Sequence, residues 1–325
     1  MKTKRIVLIT VFTILMFSIG SANAQNMRFG IITPPTQLWT TLSEQFAKEV
    51  EAQTDGKLSI SVFPAGQLGN ESAMLQQLQR GTLDFMLITG GELSSHVDSF
   101  NALLAPGLIE SSAHGARFLE EGTMPQKLLG ELEQKIGVKG LAYGMGGATQ
   151  VMTNFPAKSL ADLKGRRVRI TPSPASVDYN RILDTAPQAI PLTNVYDAFS
   201  NKQVDAVETQ LDGMYTLGLH NRADTLLMSN HTLAPSVVVV SLKTWRKLND
   251  ENKAIVASAA KELGNRLLSQ QLKRDQAAYD GVKNSVTVVD VDPSYYVDIE
   301  KQWDEIWAPR IPFLKEMRAE ANEFK

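Results

Sequence analysis

The chain contains no cysteine. That excludes disulfide staples, thiol catalysis and cysteine-ligated metal, so stability must come from core burial. Histidine is scarce as well. The four residues His96, His114, His220 and His231 stand isolated in sequence, without the spacing of metal ligands, which favours surface or satisfied core positions and points to no metal. Neither sign of charge dominates: 33 Lys+Arg against 35 Asp+Glu leaves a net charge of -2, and so balanced a chain argues against nucleic-acid binding. The sequence also lacks a G-x-S-x-G elbow, an H-E-x-x-H pair and a Walker loop. In "YGMGGATQ", Tyr143 to Gln150, Thr149 stands where a dinucleotide loop would need its third glycine, so the segment reads as a flexible crossing between strands. No catalytic carboxylate pair can be picked from the helix faces. The expectation is a protein that is not an enzyme and carries no cofactor.

Long apolar runs are missing apart from one at the start. "MKTKRIVLITVFTILMFSIGSANA" has Lys2, Lys4 and Arg5, then an apolar run from Ile6 to Ile19, then Ala22-Asn23-Ala24, the order of a secretory signal peptide cut after Ala24. The run is shorter than the ~20 apolar residues of a membrane span and contains Thr and Ser. Loss of three cations and no anion takes the net charge from -2 to -5, unsuited to anionic surfaces. An exported chain without cysteine fits the bacterial periplasm.

What is present is an α/β rhythm. "MRFGII" reads as a strand, "LWTTLSEQFAKEVEAQTDG" sets Leu42, Phe46 and Val50 on one helical face, and "KLSISVF" alternates as a strand. Two segments share one plan. An Asn70 cap, a helix, a stop at Gly81 and a strand beginning Leu83-Asp84 are matched by a helix after Thr193 and a strand beginning Val204-Asp205. Two lobes of similar build follow. From Asn249 to about Asn284 the helical pattern has few breaks, long enough to lie across both lobes.

Three arginines crowd "KGRRVRITPSP". In a strand Arg167 and Arg169 share a face and Arg166 takes the other. Arg166 reads as solvated. Arg169 leaves the strand just before Ser173, an N-cap, and Pro174 in the first helical turn, so it faces the sheet end where α/β lobes bind ligands. An anion suits that position.

The stretches "VFPAGQLGNESAMLQQLQRGTLDFMLI", "SLADLKGRRVRITPSPAS", "IPLTNVYDAFSNKQVDAVET" and "APSVVVVSLKTWRKLNDENK" resemble the periplasmic solute-binding proteins of tripartite ATP-independent (TRAP) transporters, dicarboxylate-binding type. The resemblance spans nearly the whole mature chain. It implies a two-lobed periplasmic binding fold, lobes joined by crossing strands and a long helix: 27–148 with about 235–278 as one lobe, 149–234 with about 279–310 as the other, and 311–325 as a C-terminal helix. It implies that Arg169 pairs with a substrate carboxylate, through two parallel hydrogen bonds little screened in a closed cleft. Thr149 replaces a second arginine of many members and Thr209 an asparagine, which turns the expectation from a dicarboxylate to a monocarboxylate. By the same matching Ile32, Thr33, Asn70, Thr89, Glu92, Pro172 and Leu192 fall at or near the cleft, with Trp39 able to pack on the ligand. Glu92 could accept from a hydroxyl or pair with an ammonium. The implied partners are a small organic anion and a TRAP permease; the protein itself is expected to be a monomer. A hydrolase or isomerase on the same scaffold, or a ligand-binding accessory of a sensor kinase, are the other classes to separate.

The exported protein should begin at Gln25, which intact-mass measurement on a periplasmic extract checks. Retention of Met1 would contradict it.

Overall fold

The computed structural model describes residues 25–325; the expected signal peptide lies outside the described residues. The chain opens β1 (Gln25–Gly30), α1 (Leu38–Gln53), β2 (Leu58–Phe63), α2 (Glu71–Arg80), β3 (Phe85–Thr89) and the short α3 (Gly90–Ser94). β1 lies between β2 and β3, parallel to both. α1 forms because Leu42, Phe46 and Val50 recur at a spacing of four, and all three are buried. Phe46 meets Phe29 of β1 edge-on at 5.8 Å and Phe85 of β3 at 5.6 Å, fixing the helix on the sheet. α2 starts where Asn70 accepts a hydrogen bond from the Ala73 N–H and stops at Gly81, whose φ of 75° is left-handed.

α4 (Ser112–Glu121) and α5 (Thr123–Ile136) lead into β4 (Val138–Thr153). The expected flexible crossing at 143–150 is part of this strand, with register shifts at Gly140/Ala142 and Met145/Ala148. Its pairing with β9 resumes after each shift; Gly147, at φ +95°, lies within the second. There follow β5 (Arg167–Ile170), α6 (Pro174–Ile182), β6 (Ala186–Ala189), α7 (Val195–Ser200), β7 (Ala206–Gln210), α8 (Leu211–Thr216), β8 (Thr225–Met228) and β9 (Leu233–Ser241). The chain closes with α9 (Leu242–Lys247), α10 (Asp250–Val282), β10 (Thr287–Asp290), α11 (Val297–Trp307) and α12 (Leu314–Asn322).

Strand order is β2-β1-β3-β9-β4-β7-β5-β6, with β8 and β10 branching from β4. β4 pairs with β9 through residue 148 and then with β7 and β8, so a single strand runs from one α/β unit into the other. The two units share a local device. Asp84 accepts from the Arg28 N–H at 2.9 Å and Asp205 from the Arg167 N–H at 3.0 Å, each aspartate tying the strand it precedes to its parallel neighbour. Both strands therefore begin one residue beyond the aspartate. Lys202, at φ +55°, makes the turn that Gly81 makes in the first unit.

The 33 residues of α10 extend about 50 Å, packing on α1 of the first unit and α8 of the second. α11 is anchored by Trp303, fully buried, whose indole donates to the Ala175 carbonyl at 3.3 Å and stacks on Trp307 at 5.4 Å. No helix among the described residues is long and apolar enough to cross a membrane. Trp303→Ala should cost about 3–5 kcal/mol of stability in urea unfolding. A loss under 1 kcal/mol would show that this anchor is dispensable.

Candidate functional site

A cleft lined by residues of both units opens between them. Its most constrained wall is Arg169, the third residue of β5. Burial at 1 % exposure lowers the guanidinium pKa to about 10, while the carboxylates of Glu208 and Glu71 act the other way. Nε donates to the Ile190 carbonyl at 2.8 Å and Nη1 to the Glu208 carbonyl at 2.9 Å. Two main-chain acceptors from neighbouring segments thus set the plane of the fork, and its remaining hydrogens are left for the cleft that Arg169 lines. Among the described lining residues Arg169 is the sole cation.

Its neighbours in "KGRRVRITPSP" go elsewhere. Arg167 is exposed and paired with Asp205. Arg166 is exposed, its guanidinium 4.3 Å from the Phe155 ring centre. Arg169 enters the core because Val168 and Ile170 bracket it in a strand with a second strand on either side, and because Ser173 and Pro174 start α6 directly behind it.

The structure brings Ile32, Thr33, Trp39, Thr89, Thr149 and Thr209 to this cleft, with Pro172 and Leu192. Trp39 is held by its indole N–H, which donates to the Met145 carbonyl at 3.0 Å across the crossing strand. Thr149 accepts from the Thr232 hydroxyl at 3.1 Å, so a small polar group fills the place where a second arginine was considered. Asn70 and Glu92 do not line the cleft. Asn70 spends its side chain on the α2 cap. Glu92 turns to His96 at 3.0 Å, a partner one helical turn away that competes with any ligand, and Gly91 faces the cleft instead.

Glu71, Gln37, Glu208, Asp212 and Gln271 line the cleft without having been anticipated. Glu71 is the first residue after a helix cap, where an acid reads as a dipole partner. It does more here. Oε1 accepts from the Thr89 N–H at 2.6 Å and Oε2 from the Thr89 hydroxyl at 2.9 Å, joining α2 to the end of β3. Burial raises its pKa to about 7; the Thr89 bonds oppose that rise, Glu92 adds to it and Arg169 opposes it. Behind Arg169, Glu208 accepts from Asn180 at 2.9 Å and lies 3.7 Å from His231, whose ring stacks on Tyr179 at 4.8 Å. This packed polar layer backs the strand that carries the guanidinium.

The arrangement can hold one carboxylate and several hydroxyls, and it sits where two α/β units meet. A family model described as "Bacterial extracellular solute-binding protein, family 7" matches residues 29–311, and the chain belongs to that family. Among curated proteins it is similar to the 2,3-diketo-L-gulonate-binding periplasmic protein YiaO of Escherichia coli, 28 % identical over 285 residues, 87 % of this chain and 86 % of that one. The sialic acid-binding periplasmic protein SiaP of Vibrio cholerae is 25 % identical over 79 % of this chain and 80 % of its own length. Among solved structures, a TRAP periplasmic solute-binding protein of a Bradyrhizobium species in complex with galacturonate matches with a TM-score of 0.85 at 30 % identity, covering 91 % of this chain and all (100 %) of that chain. The protein is a solute-binding component of a TRAP transporter, a family that works in the periplasm with membrane permease subunits.

Because Glu71 binds its proton more tightly folded than unfolded, the native state holds more protons between about pH 4.5 and pH 7. Ligand-free stability should therefore rise as pH falls from 7.5 to 5, with Asp275, raised to about 6 by burial, acting in the same direction. Glu71→Gln should flatten that rise in urea titrations at the two pH values. An unchanged slope would mean that Glu71 ionises normally.

Proposed function

We propose that the cleft captures a hydroxylated monocarboxylate of the sugar-acid class and delivers it to the permease without chemical change. The carrying observation is the buried Arg169, sole cation among the described lining residues and surrounded by threonines, glutamines and carboxylates. A guanidinium fixed by two carbonyls is pre-organised for a bidentate carboxylate, while the remaining lining offers acceptors and hydroxyls. The galacturonate complex of the 30 % identical relative supports this chemistry, as does a relative named for 2,3-diketo-L-gulonate.

In this reading Ile32, Thr33, Trp39, Thr89, Thr149, Pro172, Leu192 and Thr209 form the ligand shell around Arg169. The lobes comprise 27–148 with about 235–278, and 149–234 with about 279–310. Ligand binding favours their closed arrangement, and the closed form is what the permease recognises. A second carboxylate on the ligand would meet Thr149 rather than a cation, and a buried charge without a partner is costly.

A thermal-shift screen of galacturonate, galactonate and matched monocarboxylates and dicarboxylates should give the largest stabilisation with the hydroxylated monoacids. Arg169→Ala should then lose about 3–5 kcal/mol of binding, roughly two to three and a half decades in Kd. Arg169→Lys should recover part of this, and Arg166→Ala, on the outer face, should bind as wild type. Calorimetry on the variants checks each. Equal losses at positions 166 and 169, or a consistent preference for dicarboxylates, would overturn the assignment.

A further inference from the structure

α10 passes the cleft at Gln271, a residue 1 % exposed that nevertheless contributes to the lining. Its Nε2 donates to Asp275 Oδ1 at 2.8 Å, one helical turn on. Asp275 is held in turn: Oδ2 accepts from the Ser112 hydroxyl at 2.9 Å, and that hydroxyl accepts from the Ala148 N–H at 3.1 Å in the crossing strand. Gly147 leaves room for the carboxylate, since a Cβ there would stand 2.5 Å from Oδ2. An ionised carboxylate can only accept, so this chain of bonds fixes which end of the amide is which. Its donor end is committed to Asp275, and its carbonyl oxygen is buried without a hydrogen-bond partner.

A buried acceptor left unpaired is uncommon and calls for a partner. Gln37, also in the lining, likewise has its Oε1 buried and unpaired. Asp212 adds a carboxylate to this region, one oxygen engaged by Arg274 at 2.8 Å, and Arg274 lies one turn beyond Gln271 on α10. This region is distant from the carboxylate clamp. Arg169 pairs with Val207 in the sheet, whereas Asp275 and Ser112 pack against Gly147 and Ala148 of β4, just beyond the Thr149–Gln210 pair that lies three residues further along β7, roughly 10 Å along the strand. The cleft thus has a cationic end at Arg169 and, away from it, the unpaired carbonyl oxygen of Gln271.

We infer that Gln271 is a specificity-determining residue: its side-chain carbonyl accepts a hydrogen bond from a ligand hydroxyl several carbons away from the carboxylate seated on Arg169, and Asp275 and Ser112 are positioning residues that hold the amide in that orientation. The inference rests on the sugar-acid reading above and adds to it that the distal hydroxyl is read by the long helix. A short acid satisfies Arg169 alone and does not reach this acceptor.

The test is calorimetry at pH 8, where Asp275 is ionised, with galactonate as the long hydroxylated probe and lactate as the short one. Gln271→Met, close in shape but without the acceptor, should weaken galactonate tenfold or more and leave lactate unchanged. Asp275→Leu should reproduce much of the galactonate loss, and Asp275→Asn should restore it, because its amide oxygen can still accept from Gln271. Thermal unfolding of the ligand-free variants separates these effects from a folding defect. Unchanged galactonate affinity in Gln271→Met, or an equal loss for both acids, would overturn the inference while leaving Arg169 as the anion site. Wild-type protein that binds neither acid would overturn the carboxylate reading itself, and this one with it.

Discussion

A guanidinium at 1 % exposure is the constraint around which the second α/β unit is arranged. Arginine is almost never buried without partners, because removing its charge from water costs more than most single contacts return. The fold answers with main-chain carbonyls at Ile190 and Glu208 and with carboxylates at Glu208 and Glu71. Each comes from a different element: the segment after β6, the strand β7, and α2 of the opposite unit. The guanidinium therefore reads whether those elements are in place, and a site with one free edge is obtained only when the sheet register and the approach of the two units are both correct.

That approach is close because small residues line the seam. A Cβ on Gly91 would stand 2.7 Å from the Thr171 methyl, and one on Gly66, already at φ +66°, 2.8 Å from that of Thr193. Between these lie direct polar contacts: Ser94 to Ser173 at 3.0 Å, and the Ala175 N–H to Asn101 at 3.0 Å. The "PAGQLG" turn is thus more than a connector. Its glycine lets one unit reach the segment that carries Leu192, so a turn motif conspicuous in sequence acquires its meaning from a residue more than a hundred positions away.

Local chemistry made much of this legible. The Asn70 cap, the Gly81 stop, the paired aspartates and the passage from β5 to α6 depend on neighbours within a few positions, and they form as those neighbours dictate. Arg169 could be singled out for the same reason, from alternation and a helix start. Glu71 and Gln271 could not. Glu71 looks like an ordinary helix-dipole acid until Thr89 and Arg169 arrive from other elements. Gln271 lies in a helix whose apolar pattern is broad and whose polar residues are mostly solvated, so nothing nearby marks one glutamine as buried. Glu92, placed at or near the cleft by resemblance, is buried beside His96 at i+4, a partner that sequence matching does not weigh.

The acids that balance Arg169 also set the electrostatics of the cleft. Glu71 stands near its own midpoint at neutral pH, held there by burial against the pull of Thr89 and Arg169. A carboxylate placed on the guanidinium adds a like charge beside it and takes up part of the field that had favoured its ionised form, and both changes favour the protonated acid. A fixed second cation would admit any dianion of suitable length. Here the one guanidinium among the described lining residues faces the carboxylates of Glu71 and Glu208, so the cleft holds acids of its own around its cation and has no second cation in the described lining.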